Sequence, residues 1–420
     1  MDFLSRELQL AAEQPGCPIC RLASASEASY LNSFLRESIS DPEVRDRLRA
    51  SLGLCARHLW LLHDTEKVRY GTGLSTAGVL EDLVGVVMGG LELARRKGSK
   101  SNLRPGSPCM ACQFVYSTEQ AYLKSLARRP LPRPPALCLP HLLAAVPHWR
   151  AAHVTMLEFA VEALIGVAQG GNAAALADAL YGAASLAPPP LPSESATADS
   201  ELPDAPPCPA CAARLEATGQ AILVPPASEE QGLPPPRPAV LGGLLCKQHG
   251  QALKDLLPDP RESQQASSRL ALDGRRLVGE LNLPVLRRMV EGRKGRYGLI
   301  PMLTRANRLP AEQECPACRQ LSSVERLVVD DIAARSTSLL QPYSADALCL
   351  NHLLPVLHVL PTDQEEALAA LVVGRLKPLQ WELREYIRKH AWENRHEPKG
   401  QEQSSWTRAT RFLAGERGAF

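Results

Sequence analysis

Along the first hundred residues the apolar positions recur at helical rather than alternating spacing. After Cys20, the positions Leu22, Leu31, Phe34 and Leu35 suit one face of an amphipathic helix. Asp41-Pro42 then places a cap and a proline where a second helix begins. Gly53 precedes a third helix containing Leu54 to Leu62, and Val79 to Arg96 reads as a long fourth that ends at Lys97-Gly98-Ser99. The plan repeats downstream, with helices predicted from Phe114 to Arg128, after Leu137-Cys138, from Met156 to Ala168 and from Ala173 to Leu180. Near the C-terminus Val324, Leu327, Val328 and Ile332 lie at helical spacing, Leu348 to His358 opens another helix, and Glu365 to Trp392 forms a long charged one. The tail from Glu393 to Phe420 is polar, with Trp406 and Phe412 as docking points. No run of alternating β-branched residues is bounded by hairpin turns, so the expected fold class is all-α.

One stretch breaks the pattern. Ala187 to Pro207 is rich in proline and nearly devoid of large apolar residues, a composition that cannot pack a core and reads as an extended linker. Around it the chain divides into helical modules at 1–104, 105–186, 208–308 and 309–420, two on each side of the linker 187–207. The third module is the least regular, with Pro225, Pro226 and Pro234 to Pro236 interrupting it and a basic cluster from Arg287 to Arg308.

Each module carries the same pattern, Cys-x-x-Cys followed by Leu-Cys-x-x-His. Read serially, the sets are Cys17, Cys20, Cys55 and His58; Cys109, Cys112, Cys138 and His141; Cys208, Cys211, Cys246 and His249; and Cys315, Cys318, Cys349 and His352. These sets use all 12 cysteines. Cys17 and Cys208 are 191 residues apart and Cys109 and Cys315 are 206 apart, which points to two tandem duplicated halves. In Cys-x-x-Cys a tight turn aims both sulfurs at one point, and in Cys-x-x-His a helix puts both ligands on one face a turn apart. Three thiolates and an imidazole make a closed tetrahedral set, so the expected cofactor is zinc, one Zn²⁺ per set and four in all. An iron-sulfur cluster is the alternative, disfavoured because the closely spaced cysteine runs of ferredoxins are missing. Reversible thiol redox chemistry is a third reading, weakened by the absence of a strand leading into the motif.

A quieter repeat accompanies the cysteines. Glu27, Glu119 and Glu325 each stand seven residues after the second Cys of a pair, where the third copy has Thr218. Seven residues are two helical turns, about 10 Å of rise, so such a Glu cannot bind the ion held at the start of its own helix. It is expected to hydrogen-bond to a neighbouring helix, to support a ligand His, or to stand as an exposed carboxylate. His63, His148, His153, His358, His390 and His396 form no His-Glu-x-x-His motif and read as surface or packing residues. No phosphate-binding loop or nucleophile elbow is present, and a closed ligand set leaves no position for substrate water, so no catalytic residue is assigned.

Composition narrows the partners. The formal charge of +2 gives no global basic field for nucleic acid or anionic membrane, although Arg95 to Arg104 and Arg287 to Arg308 are locally basic. Three thiolates on one Zn²⁺ leave one negative charge per site, taking the total to about −2 with four sites filled. Met1 to Glu7 lacks an apolar core, and Val79 to Ala94 is interrupted by Glu81, Asp82 and Glu92. A cytoplasmic protein is expected, in which paired cysteines are metal ligands before they are disulfides.

At its Cys-Pro-x-Cys and Leu-Cys-x-x-His pairs, and again from Glu385-Tyr386-Ile387-Arg388-Lys389 to Ser405-Trp406-Thr407-Arg408-Ala409, the chain resembles a family of uncharacterised bacterial cysteine-rich proteins. The resemblance implies a bacterial cytoplasmic protein with metal-binding cysteines and carries no activity with it. The combined expectation is a zinc-binding scaffold or protein-interaction module. A nucleic-acid-binding regulator and an iron-sulfur or thiol redox sensor are the alternatives.

Overall fold

A computed structural model describes residues 3–97, 103–128, 130–170, 172–182, 208–223, 245–258, 262–281, 283–291, 315–335 and 348–418. Among them there are helices and turns and no strand. The linker 187–207, Pro225 to Pro236 and most of the basic stretch after Arg288 lie outside the described residues.

The described chain falls into two compact units. One comprises Met1–Ser26, Val115–Ser185 and Ala217–Ser323; the other comprises Glu27–Phe114, Leu186–Glu216 and Val324–Phe420. Each draws on both sides of the linker, and each buries its own apolar core.

In the unit containing the C-terminus, the helix Leu74–Lys97 lies along the 29-residue helix Thr362–His390. Val79, Leu80, Leu83, Val84, Val87 and Leu91 are buried here with Leu368, Val372, Val373, Leu376 and Leu383. Leu74–Lys97 and the segment Ala151–Gly170 are both long and apolar enough to cross a membrane. The charges that interrupt the first of these are, however, paired: Glu81 with Arg384 at 2.8 Å, Asp82 with Arg49 at 3.0 Å, and Glu92 with Lys377 at 3.3 Å. Packed apolar positions and paired charges on one helix are the pattern of a core helix.

Local chemistry explains the helix starts. Asp41 caps Pro42–Ala50 by accepting from the backbone N–H groups of Glu43 and Val44, as its sequence position predicts. Leu74–Lys97 begins a turn before the expected Val79 because its first amides have a distant cap. The buried carboxylate of Glu66 accepts from Ser75 N–H and Thr76 N–H, each at 2.7 Å. Gly53, at φ +102°, makes the turn into Leu54-Cys55, and a Cβ there would also meet Leu83 at 2.9 Å.

The tail is folded. Ser405–Ala414 is a helix whose Trp406 stacks on His63 with ring centroids 3.9 Å apart. The same indole covers Gly73, where a Cβ would come within 2.2 Å of it. Gly415 O accepts from Trp60 Nε1 at 3.0 Å, which ties the end of this helix to Ala56–Tyr70.

The other unit packs Val154–Gly170, Ala173–Tyr181, Lys247–Asp255, Ser263–Glu280 and Leu283–Glu291 around fully buried Trp149 and Tyr181. Its one deeply buried ion pair, among the described residues, is Arg269–Asp273 at 3.1 Å, and Asp273 also accepts from Tyr181 Oη at 2.6 Å. The first arginine of the basic cluster, Arg287, pairs with Glu158 at 3.0 Å and Glu291 at 2.7 Å.

Candidate metal centres

The helix starts carry the ligands. Cys55, Cys138, Cys246 and Cys349 each occupy the N-cap of a helix with extended backbone, and His58, His141, His249 and His352 follow in the first turn. The leucines flanking these pairs are buried, Leu54, Leu137, Leu245 and Leu348 before the Cys and Leu59, Leu142 and Leu353 after the His. The helix that presents the ligands is therefore anchored by the residues on either side of them. The Cys-x-x-Cys pairs likewise open Pro18–Ser33, Met110–Arg128, Pro209–Leu223 and Pro316–Ala334.

All sixteen residues gather into four Cys₃His groups, but not in the serial sets read from the sequence. The groups are Cys17, Cys20, Cys138 and His141; Cys55, His58, Cys109 and Cys112; Cys208, Cys211, Cys349 and His352; and Cys246, His249, Cys315 and Cys318. Each Cys-x-x-Cys pair meets the Cys-x-x-His pair of the other copy on its side of the linker. The arrangement is nested, an inner set enclosed by an outer one, and it occurs twice.

The helix that opens with Cys20 carries Glu27 two turns beyond its own sulfurs. The helical run from Cys20 continues through Ser33 and the π-helical turn Phe34–Ser38, about 27 Å of rise. The helix Pro42–Ala50 that follows has 9 residues, about 13 Å of rise. His58, in the first turn of Ala56–Tyr70, lies beside Glu27.

The ligand atoms have the spacing of a single ion's coordination sphere. Tetrahedral zinc, with Zn–S near 2.3 Å and Zn–N near 2.0–2.1 Å, places its ligand atoms roughly 3.6–3.8 Å apart. The Sγ–Sγ distances are 3.6 Å for Cys20–Cys138, 3.7 Å for Cys55–Cys112, 3.6 Å for Cys211–Cys349 and 3.7 Å for Cys246–Cys318. Distances from Sγ to His Nδ1 run from 3.1 Å for Cys138–His141 to 3.6 Å for Cys109–His58 and Cys315–His249. The 12 cysteines are free thiols. These donors fit one metal ion per group, held by three sulfurs and one nitrogen.

In every group Nδ1 faces the sulfurs, which leaves Nε2 for a second partner. Glu27 Oε1 lies 2.7 Å from Nε2 of His58, Glu119 Oε1 3.5 Å from that of His141, and Glu325 Oε1 3.4 Å from that of His352. The repeated Glu thus supports a ligand His, and a carboxylate on Nε2–H fixes the tautomer whose Nδ1 lone pair is free to bind metal. Each Glu serves the group other than the one at the start of its own helix. Arginines hold two of these carboxylates: Arg57 pairs with Glu27 at 2.9 Å, and Arg214 pairs with Glu325. Neither arginine belongs to a repeated motif. Arg57 stands beside a ligand and Arg214 is three residues past one, which is the only signal they carry.

Charge within the groups follows from this packing. Burial works against a charged His58, but Cys109, Cys55 and Glu27 outweigh it and push the imidazole up to about 11. His352 rises to about 11 in the same way, against burial, through Cys208, Cys211 and Glu325. Cys112 and Cys55 hold the Cys109 thiol well below its ordinary value against its burial, and the backbone N–H of Cys55 adds to them. Two helix N-termini converge on each group and favour the negative charge that three thiolates bring.

One ligand draws on the tail. Glu416 N–H donates to Cys211 Sγ at 3.5 Å, just beyond the helix that Trp406 anchors. Among the described histidines outside the four groups, His63 bonds Asp64 and Thr407, His153 bonds the Leu126 carbonyl, and His390 bonds the Tyr386 carbonyl. These are packing roles, as their sequence context suggested. No family model, curated protein or solved structure matches the chain.

Proposed function

We propose that this chain is a cytoplasmic zinc protein whose four Cys₃His centres are structural, and that it acts as a scaffold or protein-interaction module. The observation that carries the reading is the spacing of the ligand atoms, all within 4.8 Å of one another in each group. That spacing suits a single ion; a cluster of several irons would spread its sulfurs over several metals. A four-ligand set also leaves no coordination position for substrate or water, which supports a structural role.

When bound, zinc supplies folding free energy, on the order of 10 kcal/mol per structural site at neutral pH. The chain's own contribution is to present thiolates at helix N-termini and to orient three of the four imidazoles, those of His58, His141 and His352, through Glu27, Glu119 and Glu325. The same nested pairing on both sides of the linker supports a tandem duplication of a two-centre segment.

Elemental analysis of anaerobically purified protein, taken with its visible spectrum, tests the reading. Four zinc per chain and no visible band is the expected result. Iron with sulfide and a visible charge-transfer band would replace it with the iron-sulfur alternative. Salt-sensitive binding to DNA or RNA would favour a nucleic-acid regulator instead.

A further inference from the structure

The four centres differ in how far solvent reaches them. In three of them at least three of the four ligands are buried; in the Cys55, His58, Cys109, Cys112 centre only His58 is buried, and Cys112 is exposed. Cys112 Sγ lies 3.7 Å from Cys55 Sγ and within 4.8 Å of the Cys109 sulfur. An accessible sulfur that would be a thiolate with metal bound, with a second such sulfur at this range, is arranged for two-electron oxidation.

We propose that Cys112 is a modification site for hydroperoxides, through which this one centre of the four releases its metal. The inference rests on the zinc reading above. In the first step the Cys112 sulfur attacks a peroxide oxygen. An S–O bond forms, the O–O bond breaks, sulfur is oxidised by two electrons to sulfenic acid, and the other oxygen leaves as hydroxide and takes a proton to become water. In the second step the thiolate of Cys55 or Cys109 attacks the sulfenic sulfur, forming S–S while the S–O bond breaks and hydroxide leaves as a second water. Overall, two thiolates, one hydrogen peroxide and two protons give one disulfide and two waters. With two thiolates joined in a disulfide, only His58 and one thiolate would remain to hold a Zn²⁺ ion at this centre. The three other centres, with most of their sulfurs buried, are the internal controls.

The test uses the full chain with its zinc content measured beforehand. Hydrogen peroxide is added stepwise, zinc release is followed with a chromogenic chelator, and disulfides are located by peptide mapping. One equivalent is expected to leave first, with Cys112 joined to Cys55 or Cys109 and three equivalents retained. Cys112→His, which keeps a ligand but removes the oxidisable sulfur, should slow that first release at least tenfold. Should this variant hold fewer than four zinc, the peptide map of the native chain decides alone. Release from several centres at one rate, a first oxidised cysteine in another centre, or a Cys112→His variant that releases like the native chain would overturn the proposal. Absence of zinc before peroxide is added would instead overturn the metal reading on which it rests.

Discussion

Glu27 accepts a hydrogen bond from Nε2 of His58 at 2.7 Å, although Glu27 sits on the helix that begins beside Cys20 and His58 belongs with Cys55, Cys109 and Cys112. The carboxylate fixes the ring so that Nδ1 meets the sulfurs. Glu27→Gln is therefore expected to weaken metal at the Cys55 centre by about 10- to 100-fold, the range typical of lost partners to ligand histidines. Competition with a graded series of chelators would register this as one of four equivalents becoming easier to remove. An unchanged titration would mean the contact does not orient the ligand.

The nested pairing separates cleanly from the serial one by counting. Cys17→Ser with Cys138→Ser removes two ligands from one group, so three equivalents of metal should remain. Cys17→Ser with Cys55→Ser damages two groups and should leave two equivalents. Elemental analysis of the two double variants gives the opposite counts if the sets are serial.

The tail offers a stability test away from the sulfurs. Trp406 covers Gly73 and stacks on His63, so Trp406→Ala should cost about 3–5 kcal/mol as a large-to-small core change. Denaturant unfolding measures the loss directly. Because Glu416 N–H reaches Cys211 from the same segment, the variant should also surrender metal from the Cys208 centre more readily than from the others.

Acid should act on the tail through Glu402. Burial would raise its carboxyl, but Gly400 N–H at 2.7 Å and Lys389 at 3.0 Å outweigh that and lower it to about 2. A carboxyl lowered on folding adds stability that is complete above its ordinary value of 4.5 and drains as the pH falls through about 2. Glu402→Gln should then cost on the order of 1–2 kcal/mol at pH 7 and almost nothing at pH 2. Unfolding curves of both proteins against pH would test the convergence.

In the other unit, Asp273 balances buried Arg269 and receives the Tyr181 hydroxyl. Asp273→Ala removes the carboxylate beside a buried guanidinium and should destabilise by about 3–5 kcal/mol. A thermal shift no larger than that of an ordinary surface substitution would count against this.

Much of the fold could be read in advance, because helices are local. Asp41-Pro42 starts its helix where the sequence places it, and the sixteen ligands announce themselves by spacing. What escaped was tertiary. The early start at Leu74 depends on Glu66, a cap eight residues upstream that no adjacent position reveals. Which pair meets which depends on contacts between residues far apart in the chain, such as Cys17 and His141. Yet the clue was present. A Glu that cannot reach its own ion but supports a ligand His must serve a different ion, so Glu27, Glu119 and Glu325 already pointed away from the serial sets. Thr218 breaks that repeat, supplying a hydroxyl in place of a carboxylate.

Nesting also imposes an order of assembly on a chain made from its N-terminus. Cys55 and Cys112 are 57 residues apart, whereas Cys17 and His141 are 124 apart, so the inner loop can close while the outer partner is still unsynthesised. Closing the shorter loop is also favoured by about 0.6 kcal/mol for each halving of length. Beyond the linker the inner pair Cys246–Cys318 spans 72 residues and the outer pair Cys208–His352 spans 144. Metal supplied during translation would fill the inner centre first on each side, and Cys17 and Cys20 would wait, uncommitted, for a ligand pair more than a hundred residues away.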